Sequence, residues 1–189
     1  MSIEFKEEGT TIYATREGTA TQAREGGTLV WLVHDVRLLL IATWLGAAVF
    51  FSFAVAPSAF AVLPARELAG AMVTRTLSIV NVGGFAISLL LLASAPLARW
   101  AVTKRAFLAE STSLALIAVV TGVGQWVIAA RLLELRRAMG RPIDEVAQTD
   151  PLRIAFNSLH GYSVMALGLG MIAAVVALLF IARRRAKKG

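Results

Sequence analysis

Four stretches of this 189-residue chain contain no Asp, Glu, Lys or Arg: residues 38–65, 76–98, 111–130 and 154–182. Their lengths are 28, 23, 20 and 29 residues. A helix needs about 20 apolar residues to cross a hydrocarbon core of about 30 Å, and each stretch reaches that length. The pattern predicts transmembrane helices near 32–55, 77–98, 110–133 and 158–182. The expected fold class is therefore all-α: a polytopic membrane protein, a four-transmembrane-helix bundle with a polar N-terminal tail. Composition agrees, with 57% hydrophobic and 16% charged residues, where a soluble domain carries about a quarter charged residues.

The chain divides into a polar tail at 1–28, a transmembrane domain at 29–183 and a basic C-terminal tail at 184–189. The first 28 residues hold six Thr, four Gly and eight charges and lack the apolar core of a signal peptide, so the first helix is expected to act as its own insertion signal. Such a tail has too little apolar surface to offset an ordering entropy of about 1–2 kcal/mol per residue. Ile3, Phe5, Ile12 and Tyr13 are its expected contacts if it orders along a partner.

Net charge is +7, and five of the 19 basic residues fall in the last seven positions. Basic residues flanking membrane helices hold orientation and meet anionic lipid. Nucleic acid is not an implied partner, since no basic patch interleaved with aromatics is present. With four spans, twelve basic residues fall on the side of the termini and seven on the other, Arg66, Arg75, Arg131, Arg136, Arg137, Arg141 and Arg153. The positive-inside rule then places both termini in the cytoplasm, and the bacterial inner membrane is the expected location. Trp31 and Trp100 would mark one interface, Trp126 and Tyr162 the other.

Packing between membrane helices relies on small residues that let backbones approach. Ala48 and Ser52, Gly84 and Ser88, Ala118 and Gly122, and Ala166, Gly170 and Ala174 place such residues four apart on each span. Helix three is expected to continue beyond the membrane and stop at Gly140, ahead of Pro142. Pro57 and Pro64 bracket a segment expected to lie in the interface as a short helix.

Candidate chemistry is sparse. The chain has no cysteine, which removes disulfides, thiolate metal sites and cysteine nucleophiles. His34 and His160 are the two histidines. They open helices one and four from opposite surfaces, so one haem iron cannot reach both across about 30 Å. A haem, chlorophyll or bacteriochlorophyll held by a single histidine stays open at either, as does bound lipid, although the sequence requires no cofactor. No spacing suits a metal site, and Ser158 and Ser163 beside His160 lack a third group to form a triad. Asn81 and Gln125 lie within spans and are expected to hydrogen-bond across helices two and three. No ionisable group falls deep in a predicted span, whereas proton-coupled carriers place such groups there. A structural role for His160, tying the first turn of helix four to helix one or three, is the preferred reading.

The segment WLGAAVFFSFAVAPSAFAVLP at 44–64, followed by LHGYSVM at 159–165, resembles the family of transmembrane protein 205, a bacterial and eukaryotic domain of unknown function. The residues carrying the likeness are Trp44, Gly46, Pro57, Phe60, His160, Gly161 and Ser163, and it spans about residues 30 to 182. The resemblance implies four membrane helices and supplies no enzyme activity. The expected function is a non-catalytic accessory or structural subunit docking on a larger membrane complex, respiratory or photosynthetic, with membrane lipids and other membrane subunits as partners. The alternatives are a small permease or tolerance factor for an apolar or weakly polar solute, and pigment or haem binding at a single histidine.

Overall fold

A computed structural model describes residues 31–96 and 103–186. The predicted tail contacts Ile3, Phe5, Ile12 and Tyr13, together with Trp100 and residues 187–189 of the basic tail, lie outside the described residues. Four helices carry the fold: α1 (Trp31–Val62), α2 (Arg66–Ser94), α3 (Lys104–Met139) and α4 (Pro151–Ala186). No strand occurs among the described residues, and all four helices are long and apolar enough to cross a membrane.

The chain separates into two units, Met1–Val36 and Arg37–Gly189. In the first, the described residues 31–36 form the opening of α1. There the Trp31 ring meets His34 edge-on with centroids 6.4 Å apart, and His34 Nδ1 lies 3.3 Å from Asp35 Oδ1. The second unit holds the bundle.

The helices run longer than the charge-free stretches because a helix does not stop where the hydrocarbon stops. α3 continues through LLELRR, strong helix formers, and ends where Gly140 adopts φ 63°, the left-handed cap that glycine reaches without a steric penalty. A 3₁₀ turn at Ile143–Glu145 follows. Asp150 Oδ1 then accepts from the Leu152 amide at 2.8 Å and Pro151 opens α4, a start with a capping carboxylate and a proline that has no amide to satisfy. This start corrects the placement of His160: it lies nine residues into α4, in the third turn rather than the first.

A second correction concerns Pro57. Residues 58–62 are helical, and they continue α1 to Val62 instead of following a break at Pro57. A π turn at Phe51–Val55 makes this possible, with the Ala56 amide donating back to the Phe51 carbonyl. A proline ring collides with the carbonyl four residues earlier in an α register, and the wider turn just before Pro57 changes that register. A second π turn, Val123–Ile128, interrupts α3.

The interior is filled by Ile41, Trp44, Ala48 and Phe51 from α1, Val80 and Leu91 from α2, Leu114 and Ile117 from α3, and Leu167, Ala174, Ala177 and Ile181 from α4. Trp44 is the central wedge. It is 3% exposed, and its indole N–H donates to the Val80 carbonyl at 2.9 Å. The ring fits against α2 because Gly84 makes room for it, and it also touches α4 at Gly170. A β-carbon at Gly84 would lie 2.6 Å from Trp44 Cε2 and 2.9 Å from Cζ2, and one at Gly170 would lie 3.5 Å from Cη2. These contacts set α1 against both α2 and α4. The other small residues also face inward or half inward, with Ala48, Ser88, Ala118 and Ala174 buried and Ser52, Gly122 and Ala166 half-buried. The hydroxyls of Ser52 and Ser88 bond carbonyls of their own helices, Ala48 and Phe85, so the serines act here as small residues and not as interhelical donors.

Gly84→Ala should lower the stability of the bundle by about 1–3 kcal/mol, the usual range for overpacking. Gly161→Ala, where a β-carbon meets nothing within 4 Å, should be neutral or stabilising. Thermal unfolding of both variants in one detergent measures the difference.

Candidate functional site

The most polar interior feature joins three helices near the end of the bundle that carries the chain termini. Arg37 and Glu110 form an ion pair, Nη2 to Oε1, at 2.6 Å, with side chains 2% and 1% exposed. The same guanidinium donates through Nη1 to the Leu91 carbonyl at 2.6 Å and to the Ser94 hydroxyl. Leu91 and Ser94 belong to the last turn of α2, where helix carbonyls lack intrahelical partners and the macrodipole is negative. Glu110 lies in the second turn of α3, close to that helix's positive end. A cation therefore sits at a helix C-terminus and an anion near a helix N-terminus, and each also has the other. Nε of Arg37 is buried with no partner among the described residues.

Arg37 is one of the twelve basic residues on the side of the termini, and its burial in this pair leaves eleven to meet lipid or solvent there. Arg37 and Glu110 each fall one residue outside a charge-free stretch, so a rule that reads such stretches places both at a surface. A signal was present all the same: two opposite charges, each at the first apolar turn of its helix, on the same side of the predicted membrane.

A second polar group lies in the interior, toward the other end of the bundle. Asn81 on α2 is 5% exposed and packs on α3 at Gly124, where a β-carbon would lie 3.2 Å from its Nδ2. Gln125 Oε1 is buried without a partner among the described residues. The expected hydrogen bond to that oxygen from Asn81 is thus not formed; the two helices meet instead through the absence of a side chain at Gly124. The contact lies inside the π turn of α3, which displaces Gln125 from the position a regular helix would give it. Beside it the Phe85 and Trp126 rings meet edge-on at 4.8 Å.

The histidines part company. His34 is buried, 9% exposed. His160 is exposed on α4, its ring parallel to that of Phe156 at 6.5 Å between centroids. It makes no tie between helix starts of the kind expected. Of the other residues in the family pattern, Trp44 and Ser163 point into the bundle, while Gly46, Pro57 and Phe60 are exposed. No group of three or more His, Cys, Asp or Glu side chains suited to a metal ion occurs among the described residues.

Outside the hydrocarbon, the ends of α3 and α4 form a polar cap. Arg66 lies 3.4 Å from Asp144, Arg136 sits 5.6 Å over the Phe156 ring, and Arg153 donates to the Val146 carbonyl. Below it an open cleft of about 410 Å³ separates α3 from α4, lined by Arg131, Glu134, Leu135, Ala138, Ala155, Ser158, Leu159 and Tyr162.

A family model described as a domain of unknown function, DUF4149, matches residues 39–141. The match contains Trp44, Glu110 and the Asn81–Gly124 contact and stops before the LHGYS segment. It agrees with the expectation of a domain of unknown function, under that name rather than that of transmembrane protein 205. No curated protein and no solved structure matches the chain.

Removing one partner from a buried ion pair costs about 3–5 kcal/mol, because the other charge is left uncompensated. Arg37→Leu and Glu110→Leu should each destabilise the bundle by that order. The double variant should recover most of the loss. A double-mutant cycle on unfolding in detergent measures the coupling directly.

Proposed function

This chain belongs to the DUF4149 family of domains of unknown function, and from that premise we propose that it is a non-catalytic accessory subunit docking on a larger membrane assembly. We place it in the bacterial inner membrane with both termini in the cytoplasm, following the excess of basic residues on their side. The observation that supports the docking role is a set of bare helical positions, Gly46 exposed and Gly83, Gly161 and Gly168 half-buried, that no neighbour fills. Gly46 on α1, Gly83 on α2, and Gly161 and Gly168 on α4 have nothing within 4 Å of a β-carbon position. Glycine in a helix interior costs about 1 kcal/mol relative to alanine, and these four contribute no close contact inside the bundle. A glycine face toward lipid is useful when another helix approaches it. The exposed Phe50, Phe53 and Phe60 extend the α1 face beside Gly46.

Within the bundle, the charged groups are committed to one another and to the end of α2, which suits a rigid scaffold more than a turnover site. A permease for a weakly polar solute is the second reading, and the unpartnered Gln125 oxygen beside a π turn favours it. π turns are frequent at functional sites.

Gly46→Leu and Gly161→Leu should leave the isolated bundle inserted and folded but remove it from a high-mass band on native gels after mild extraction. A lone monomer or homodimer of the parent protein under every extraction condition would sink the subunit reading. For the second reading, Asn81→Leu with Gln125→Leu should abolish solute flux in proteoliposomes; unchanged flux rejects it.

A further inference from the structure

We propose that the cleft between α3 and α4 binds the headgroup of a zwitterionic phospholipid of the phosphoethanolamine class. The depth of the cleft comes first. Arg131 is the first charged residue after the charge-free stretch 111–130, so α3 leaves the hydrocarbon there. Tyr162 lines the same cleft from α4, an aromatic residue of the kind that marks a membrane–water interface. From Arg131 to Ala138 α3 rises about 10 Å, which covers a headgroup layer of about 5–7 Å per leaflet. The cleft therefore opens at headgroup height in the leaflet opposite the chain termini.

Its charges are ordered along that height. Arg131 is at the hydrocarbon edge, and Glu134 is anchored three residues, about 4.5 Å of helix rise, farther out. A phosphoethanolamine headgroup presents the same order with opposite signs, the phosphate nearer the acyl chains and the ammonium beyond it across a short ethylene linker. Arg131 and Glu134 contact each other at 2.8 Å with side chains 70% and 60% exposed. An exposed pair three residues apart is weak, so a ligand carrying both charges can replace each partner with its own. Ala138 and Ala155 face the cleft from the two helices, and their small size keeps it open. Ser158 and Tyr162 add hydroxyl groups to the lining. A purely anionic headgroup would satisfy Arg131 and leave Glu134 facing like charge.

The test uses the full chain in detergent, exposed to an equimolar mixture of dioleoyl phosphatidylethanolamine and dioleoyl phosphatidylglycerol, with retained lipid counted by native mass spectrometry. The parent protein should retain phosphatidylethanolamine in preference. Arg131→Gln should lower its retention about two- to fivefold, the range that partly exposed ion pairs reach. Glu134→Gln should lower phosphatidylethanolamine by a similar factor and not phosphatidylglycerol, so that the preference disappears. Ala155→Leu should fill the cleft and reduce retention of both lipids. Arg131 and Glu134 are exposed, so their variants should keep the parent's unfolding temperature, which serves as the control for folding. Equal retention of the two lipids by the parent protein, or an unchanged preference in Glu134→Gln, overturns the proposal.

Discussion

One ion pair sets the frame for the rest of the bundle. Arg37 and Glu110 are almost wholly removed from solvent, and a charge so placed is stable only if paired and hydrogen-bonded. The guanidinium reaches three helices at once: its own, the end of α2 through Leu91 and Ser94, and the start of α3 through Glu110. Its planar fork of donors suits this task, since several acceptors can be met in fixed directions. With that end tied, α1 is held in the rotation that turns Ile41, Trp44, Ala48 and Phe51 toward the interior. Shifting α1 by one residue would move the cation off Glu110 and the indole off Gly84 together.

The second tie, Trp44, works by shape. In lipid there is little hydrophobic drive for helix pairing, and packing must come from close contact and interhelical hydrogen bonds. The indole supplies both, filling the space left by Gly84, touching Gly170 and donating to the Val80 carbonyl. Val80 and Gly84 are one turn apart on α2, so one helical face accepts the ring and its N–H. Gly84 is thus more than part of a generic small-residue stripe: its bareness is matched to one side chain.

The two ends of the bundle differ in character. At the end of the termini a buried ion pair ties three helices. At the other end both α1 and α3 carry π turns, Gln125 keeps a buried unpaired oxygen, and the helices rise into an arginine-rich cap with an open cleft beneath it. A wide turn lowers the regularity of the backbone hydrogen bonds, and a cleft between two helices leaves room for a guest. The tightly closed end suits anchoring and the looser end suits recognition, consistent with a scaffold that meets lipid or a partner away from its fixed corner.

Much of this molecule could be read from charge and hydropathy alone. Four charge-free stretches determine four membrane-crossing helices, because lipid leaves few other ways to satisfy a backbone. The stop at Gly140 was legible for a similarly local reason, the need for a left-handed cap. What only the tertiary structure decided concerns partners distant in the chain. Arg37 and Glu110 are 73 positions apart, and each by itself looks like an interfacial charge at the edge of a span. Trp44 looks like one more lipid-facing aromatic until Gly84 and Gly170 are set around it. Pro57 looks like a helix end until a π turn carries α1 past it. His160 looks like the opening of a helix until Asp150 and Pro151 start that helix nine residues sooner. In each case the sequence specifies the chemistry of one side chain, and the packing of the other helices determines whether that chemistry faces lipid, water or a partner within the fold.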